Sequence, residues 1–242
     1  MLHGVPICLG YLAVAFSFGI FAVGSGLSVM ETLMISMLNV TSAGQLAGVP
    51  IIAAGGSFFE LALGQLVINL RYSLMSVSLS QKFDKSVKLF DRFVLAFVNT
   101  DEVFAVSTSQ NEPVSKSYMY GLILPPYLGW TLGTLIGAIA GNILPAMVTT
   151  ALGVAIYGMF VAIVVPAMRG HKATALCVLV AIVLSCLFYY VPFLKAIPSG
   201  FVVIICAVTA SALFALIAPV HTDAEGKTDA APEETAEGGD QA

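Results

Sequence analysis

The chain has 242 residues, 58% hydrophobic and only 10% charged, whereas soluble domains carry roughly 25% charged residues. That deficit excludes a water-soluble domain with an apolar core under a charged surface and reads as an all-α integral membrane protein. The formal charge of −4 is local: "HTDAEGKTDAAPEETAEGGDQA", His221 to Ala242, holds seven of the fourteen acids and one of the ten bases. Residues 1–220 are therefore net positive and form the membrane domain, while 221–242 is expected to be a disordered, solvated acidic tail.

A spanning helix needs about 20 mostly apolar residues. Residues 6–26 supply the first, uncharged and too glycine-rich for a cleaved signal peptide. The second run, 31–54, is long enough to cross but is interrupted by "NVTSAGQ" and predicts a broken helix. The third, 57–80, contains Glu60, Asn69 and Arg71. The loop 81–92 then carries Lys82, Lys85, Lys88 and Arg92, a basic cluster of the kind retained on the cytoplasmic side.

Segment 93–110 follows, and then four cleaner spans at 118–140, 143–167, 174–191 and 199–218, with Arg169 and Lys172 in a second basic loop. Two cytoplasmic loops require an even number of crossings between them. This makes 93–110 a membrane-buried segment that enters and leaves on one side, for about seven spans with the N-terminus outside and the C-terminus inside. "LGY" at 9–11 echoes "LGW" at 128–130, each opening a glycine-rich span followed by one ending in proline. In that topology the two run in opposite senses, as in the inverted repeats of secondary transporters; chance similarity between glycine-rich helices gives the same echo.

Cys8, Cys177, Cys186 and Cys206 are scattered in apolar segments, and His3, His171 and His221 lie at an end, in a loop and in the tail. These spacings match no metal-binding pattern, and no cofactor is expected.

The polar groups inside the apolar runs are the candidates for chemistry. Asn39, Thr41, Ser42, Gly44 and Gln45 suit a helix that unwinds in the membrane, whose half-helix amides attract a carboxylate; a polar helix–helix interface accounts for the same residues. Arg71, in "NLRY" with Asn69, either faces a partner or snorkels toward the basic loop. Its expected counter-charge is "NTDE", Thr100 with Asp101 and Glu102, where one acid pairs and the other exchanges a proton. An interfacial loop with solvated acids is the alternative. Gly129, Gly133, Gly137 and Gly141, spaced by four, form a ridge for close helix packing without indicating the partner.

"GVPICLGYLAVAFSFGIFA", "TSAGQ", "NLRY" and "NTDEVFA" together resemble the AzlC family of bacterial permeases, over about Gly4 to Pro219. The resemblance implies the large subunit of a two-component exporter of branched-chain or similar apolar amino acids in the bacterial cytoplasmic (inner) membrane. It also implies a small AzlD-type membrane subunit as partner, with lipid and the amino acid as the other contacts and no nucleic acid. The family pattern "NLRH" reads "NLRY" here, which removes a group that titrates near neutral pH. An intramembrane enzyme would want a nucleophile, base or metal set such as GxSxG or HExxH, and neither motif occurs. A scaffold subunit whose partner carries the path is the other alternative.

Overall fold

The computed structural model describes residues 2–170 and 172–218. The tail 221–242 and the histidines at 171 and 221 lie outside these. The described residues form α1 (Gly4–Gly24), α2 (Val29–Leu38), α3 (Ser42–Ala53), α4 (Phe58–Ser80), α5 (Leu89–Phe97), α6 (Asp101–Thr108), α7 (Lys116–Ile143), α8 (Ala146–Gly170), α9 (Lys172–Tyr190) and α10 (Ser199–Ile217), with one 3-10 turn at Leu194–Ala196. The protein is an all-α membrane protein. Helices α1, α7, α9 and α10 are long and apolar enough to cross a bilayer. Helix α4, at 23 residues, is as long but is diluted by its polar groups.

The described residues divide into two compact units, one within 2–160 with 198–204, the other within 161–197 with 205–218. In the second unit α9 has no buried residue, whereas Cys206 and Ala210 of α10 are buried.

The first unit is organised around α1 and α7. A Cβ on Gly129 would meet the carbonyl of Cys8 at 2.6 Å, and one on Gly133 that of Leu12 at 2.5 Å. One on Gly137 would collide with the backbone of Phe16, and Gly141 faces Ile20. The glycine ridge therefore has an intrachain partner, and both residue series ascend together, so α1 and α7 run parallel. The "LGY" and "LGW" stretches, expected to run in opposite senses, instead pack on each other: Tyr11 meets Trp130 edge to face, with ring centroids 5.2 Å apart.

Run 31–54 is broken as expected, but its halves do not continue one another. Gln45 Nε2 donates to Ser36 Oγ at 3.0 Å, whereas nine residues of continued helix would separate these positions by about 13.5 Å. Val49 of α3 clusters with Phe18, Ala22 and Leu27, near where α2 began. After a turn in which Gly55 takes φ 66°, α4 runs antiparallel to α3, with Leu61 beside Gly48 and Gln65 beside Gly44. Helices α2 and α3 thus form a re-entrant hairpin, and 31–54 enters and leaves at one end. A hydropathy run cannot distinguish these paths, because 24 apolar residues suffice for either.

Segment 93–110 is also re-entrant, as expected. Helix α5 rises from Asp91, bound to Lys116 and Tyr120 at the start of α7, and reaches Ser76 at Asn99. Helix α6 returns until Ser107 meets Met119. The base is closed by a short parallel bridge between Phe83 and Val114 and sealed by Leu79, Leu95, Val98, Val103 and Leu122. The two hairpins enter the unit from opposite ends.

The N-terminus lies at the end of the unit that carries the basic loop, since His3 Nδ1 is 2.9 Å from Tyr118 Oη. With hairpin α2–α3 not crossing, N-terminus and loop share a side, which corrects the expectation that they lie on opposite sides.

Candidate functional site

Each hairpin is broken at its tip by residues that favour leaving a helix. The first tip is Asn39–Thr41, where the Thr41 side chain caps α3 by accepting from Gly44 N at 3.4 Å. The break lies just upstream of Ser42, Gly44 and Gln45, which are helical and form the first turn of α3. The second tip is Val98–Thr100, with Thr100 at the N-cap position of α6 but making no side-chain cap bond, and with Asp101 and Glu102 in the first turn.

Polar side chains tie the first tip to α4. Asn39 Nδ2 and Asn69 Nδ2 both donate to Gln65 Oε1, at 3.2 and 3.1 Å, and Gln65 Nε2 donates to the Gly44 carbonyl at 2.7 Å. Behind it, Ser36 bonds Thr134 of α7 at 2.6 Å. The second tip carries the charges. Arg71 Nη1 meets Asp101 Oδ1 at 2.5 Å, and Arg71 Nη2 donates to Tyr72 Oη at 3.1 Å. Tyr11 Oη donates to Glu102 Oε2. Arg71 and Asp101, near the middle of the unit, are half exposed at 51% and 46%.

Three tyrosines join the tips. Tyr11 bonds Glu102 of the second tip and packs against Val40 of the first. Tyr72 lies beside Thr41 as well as Arg71. Tyr127 donates to the Met37 carbonyl at 3.1 Å and lays its ring 6.4 Å from that of Phe97. A cavity of about 260 Å³ opens between the arms of the first hairpin and α4, walled by Ile35, Leu38, Ile52 and Leu61, with Asn39 and Gln45 at its polar side.

The expected site residues Asn39, Thr41, Ser42, Gly44, Gln45, Asn69, Arg71, Thr100, Asp101 and Glu102 therefore converge on these two tips. The glycines of α7 stand apart from them, against α1. Tyr11, Gln65 and Tyr127 complete the arrangement. Only Gln65 carries a sequence signal, its four-residue spacing from Asn69 on one face of α4.

Both hairpins and all the residues above lie within 6–144, which matches the model of the AzlC protein family over more than half of the chain. The chain belongs to the AzlC family. It is 32% identical to an uncharacterized membrane protein of Archaeoglobus fulgidus, over 72% of this chain and 77% of that one. It is 31% identical to inner membrane protein YgaZ of Escherichia coli, over 74% and 75%. The branched-chain amino acid transport protein AzlC of Bacillus subtilis is 22% identical over 58% and 56%. No solved structure matches. The AzlC match ends at the last turn of α7, so the family signature coincides with the hairpin-bearing part of the chain.

Proposed function

We propose that the protein is a secondary transporter that exports branched-chain or similar apolar amino acids together with a small AzlD-type membrane subunit. The observation that carries this reading is the meeting of two re-entrant tips with opposite electrostatic character. The first offers the N-terminal turn of α3, free of acids, whose amides and dipole suit a carboxylate. The second offers Asp101 and Glu102, one of which meets an ammonium group or carries a proton while the other pairs with Arg71. The cavity inside the first hairpin, with its aliphatic walls, accepts the side chain. Discontinuous helices meeting at mid-membrane are the usual construction of substrate sites in such transporters.

The half-exposed Arg71–Asp101 pair supports a partner subunit or a water-filled path on that flank, because a bare ion pair facing lipid is costly. On this reading loop 81–92 and the N-terminus face the cytoplasm. The test is amino-acid efflux from cells expressing this chain alone, the small subunit alone, and both. Efflux of leucine or valine only with both chains, lost in Glu102→Gln with normal expression, is the expected result. Efflux from the small subunit alone would make this chain a scaffold.

A further inference from the structure

The two hairpins are not merely similar in outline. Helices α1–α2–α3 and α4–α5–α6 each run as one long helix followed by two short ones, inserted from opposite ends. In each, the third residue of the first short helix is an acid that accepts from the capping residue's own amide: Glu31 from Ser28 N at 2.8 Å, and Asp91 from Lys88 N at 3.0 Å. Asn39 and Asn99 stand at the two tips, followed by threonines at the N-cap positions, Thr41, which caps α3, and Thr100, whose side chain makes no cap bond. Tyr11 of the first long helix bonds the second tip at Glu102, and Tyr72 of the second lies beside the first tip at Thr41. Tyr127 touches Met37 and Phe97, the last turns of α2 and α5. Acid, asparagine, tyrosine and contact point all correspond at a separation of sixty or sixty-one residues.

Equivalent scaffolds make the differences informative. At the second tip Asn99 is 4% exposed; its Nδ2 donates to Ser76 Oγ at 3.0 Å, and its Oδ1 has no hydrogen-bond partner. Thr100 Oγ1, beside the Tyr11 hydroxyl, also lacks a hydrogen bond of ordinary geometry. Open buried acceptors also occur at the first tip, at Gln45 Oε1 and Asn69 Oδ1, and each can take a donor from outside the chain; what sets the second tip apart is the charge beside its open acceptors. Next to them stand Asp101 and Glu102, where the first tip has Ser42 and Ala43.

We propose that α1–α3 and α4–α6 are inverted copies of one unit, and that Asn99 Oδ1 with Thr100 Oγ1 receives the ammonium group of a zwitterionic ligand whose carboxylate lies at the first tip. This rests on the transport reading above and assigns its specificity: both charges of the ligand are required, one per copy. The role of Asn99 is then distinct from simply fastening α5 to α4 through Ser76.

The test is ligand-dependent thermal stabilisation of the full chain, purified together with its small subunit, with leucine, leucinamide (ammonium only) and 4-methylpentanoate (carboxylate only). Wild type should bind leucine most tightly. Asn99→Leu, of similar volume, should weaken leucine and leucinamide about tenfold, the value of one hydrogen bond to a charged group, and leave 4-methylpentanoate unchanged. Asn99→Asp should shift preference the other way, toward leucinamide. Equal weakening of all three probes in Asn99→Leu, or no change in preference in either variant, overturns the half-site while leaving amino-acid transport standing. Failure of wild type to bind leucine at all overturns the transport reading, and this half-site with it.

Discussion

Arg71 of α4 and Asp101 at the start of α6, thirty residues apart in sequence, form a 2.5 Å ion pair near the middle of the first compact unit. Removing one partner leaves the other charge in an environment poorer in water than a protein surface. Asp101→Asn should lower stability by about 1–3 kcal/mol, less than for a fully buried pair because both side chains are half exposed. Arg71→Gln added to it should restore part of the loss. Thermal melts of the two single variants and the double variant measure the coupling, and strict additivity would mean that the pair contributes nothing.

Gly137 sits where a side chain would run into the backbone of Phe16, and Gly10 has nothing within 4 Å of its ideal Cβ. Gly137→Leu should force α1 from α7 and cost about 3 kcal/mol or more. Gly10→Ala should leave stability unchanged or raise it by about 0.5–1 kcal/mol. Heating membrane extracts and following the soluble monodisperse fraction separates them; equal behaviour would place the ridge somewhere other than against α1.

Asp91, in the first turn of α5 and outside the spans, has its pKa held below the ordinary carboxylate value, first by its bond to Lys116 and then by the Lys88 amide. A depressed native pKa contributes stability above the unfolded-state pKa, and the contribution is lost as pH falls through the native value. The wild-type melting temperature should therefore drop on acidification below the usual carboxylate range, and Asp91→Asn should show a lower plateau at neutral pH and a shallower acid limb. Parallel pH profiles for the two proteins would count against the link.

The hairpin path of 31–54 puts residue 2 and Ser86 on one side and Gly55 on the other. With the four native cysteines replaced, Leu2→Cys and Ser86→Cys should resist an impermeant thiol reagent in intact cells, and Gly56→Cys should react. Labelling of Leu2→Cys but not Ser86→Cys would restore a crossing to 31–54.

Hydropathy alone determined that this is a helical membrane protein and where its apolar segments lie, because partition between water and lipid follows composition over a window of about 20 residues. The breaks at 39–41 and 98–100 were legible for a related reason: Asn and Thr compete for backbone hydrogen bonds and favour caps over helix interiors. The pairing of Arg71 with Asp101 was legible as well, since an arginine in a span needs a partner and the sequence offers few. Whether a broken run continues or folds back was decided only in three dimensions, by Gln45 reaching Ser36 and by α3 packing along α4. The parallel course of α1 and α7 has the same origin, being set by which backbone fills the glycine groove. Tyr11 and Tyr72 illustrate the limit most plainly. A tyrosine in an apolar span reads as packing until its hydroxyl is seen beside a hairpin tip, and the contact is a property of the fold, made between residues 91 positions apart for Tyr11 and about thirty for Tyr72.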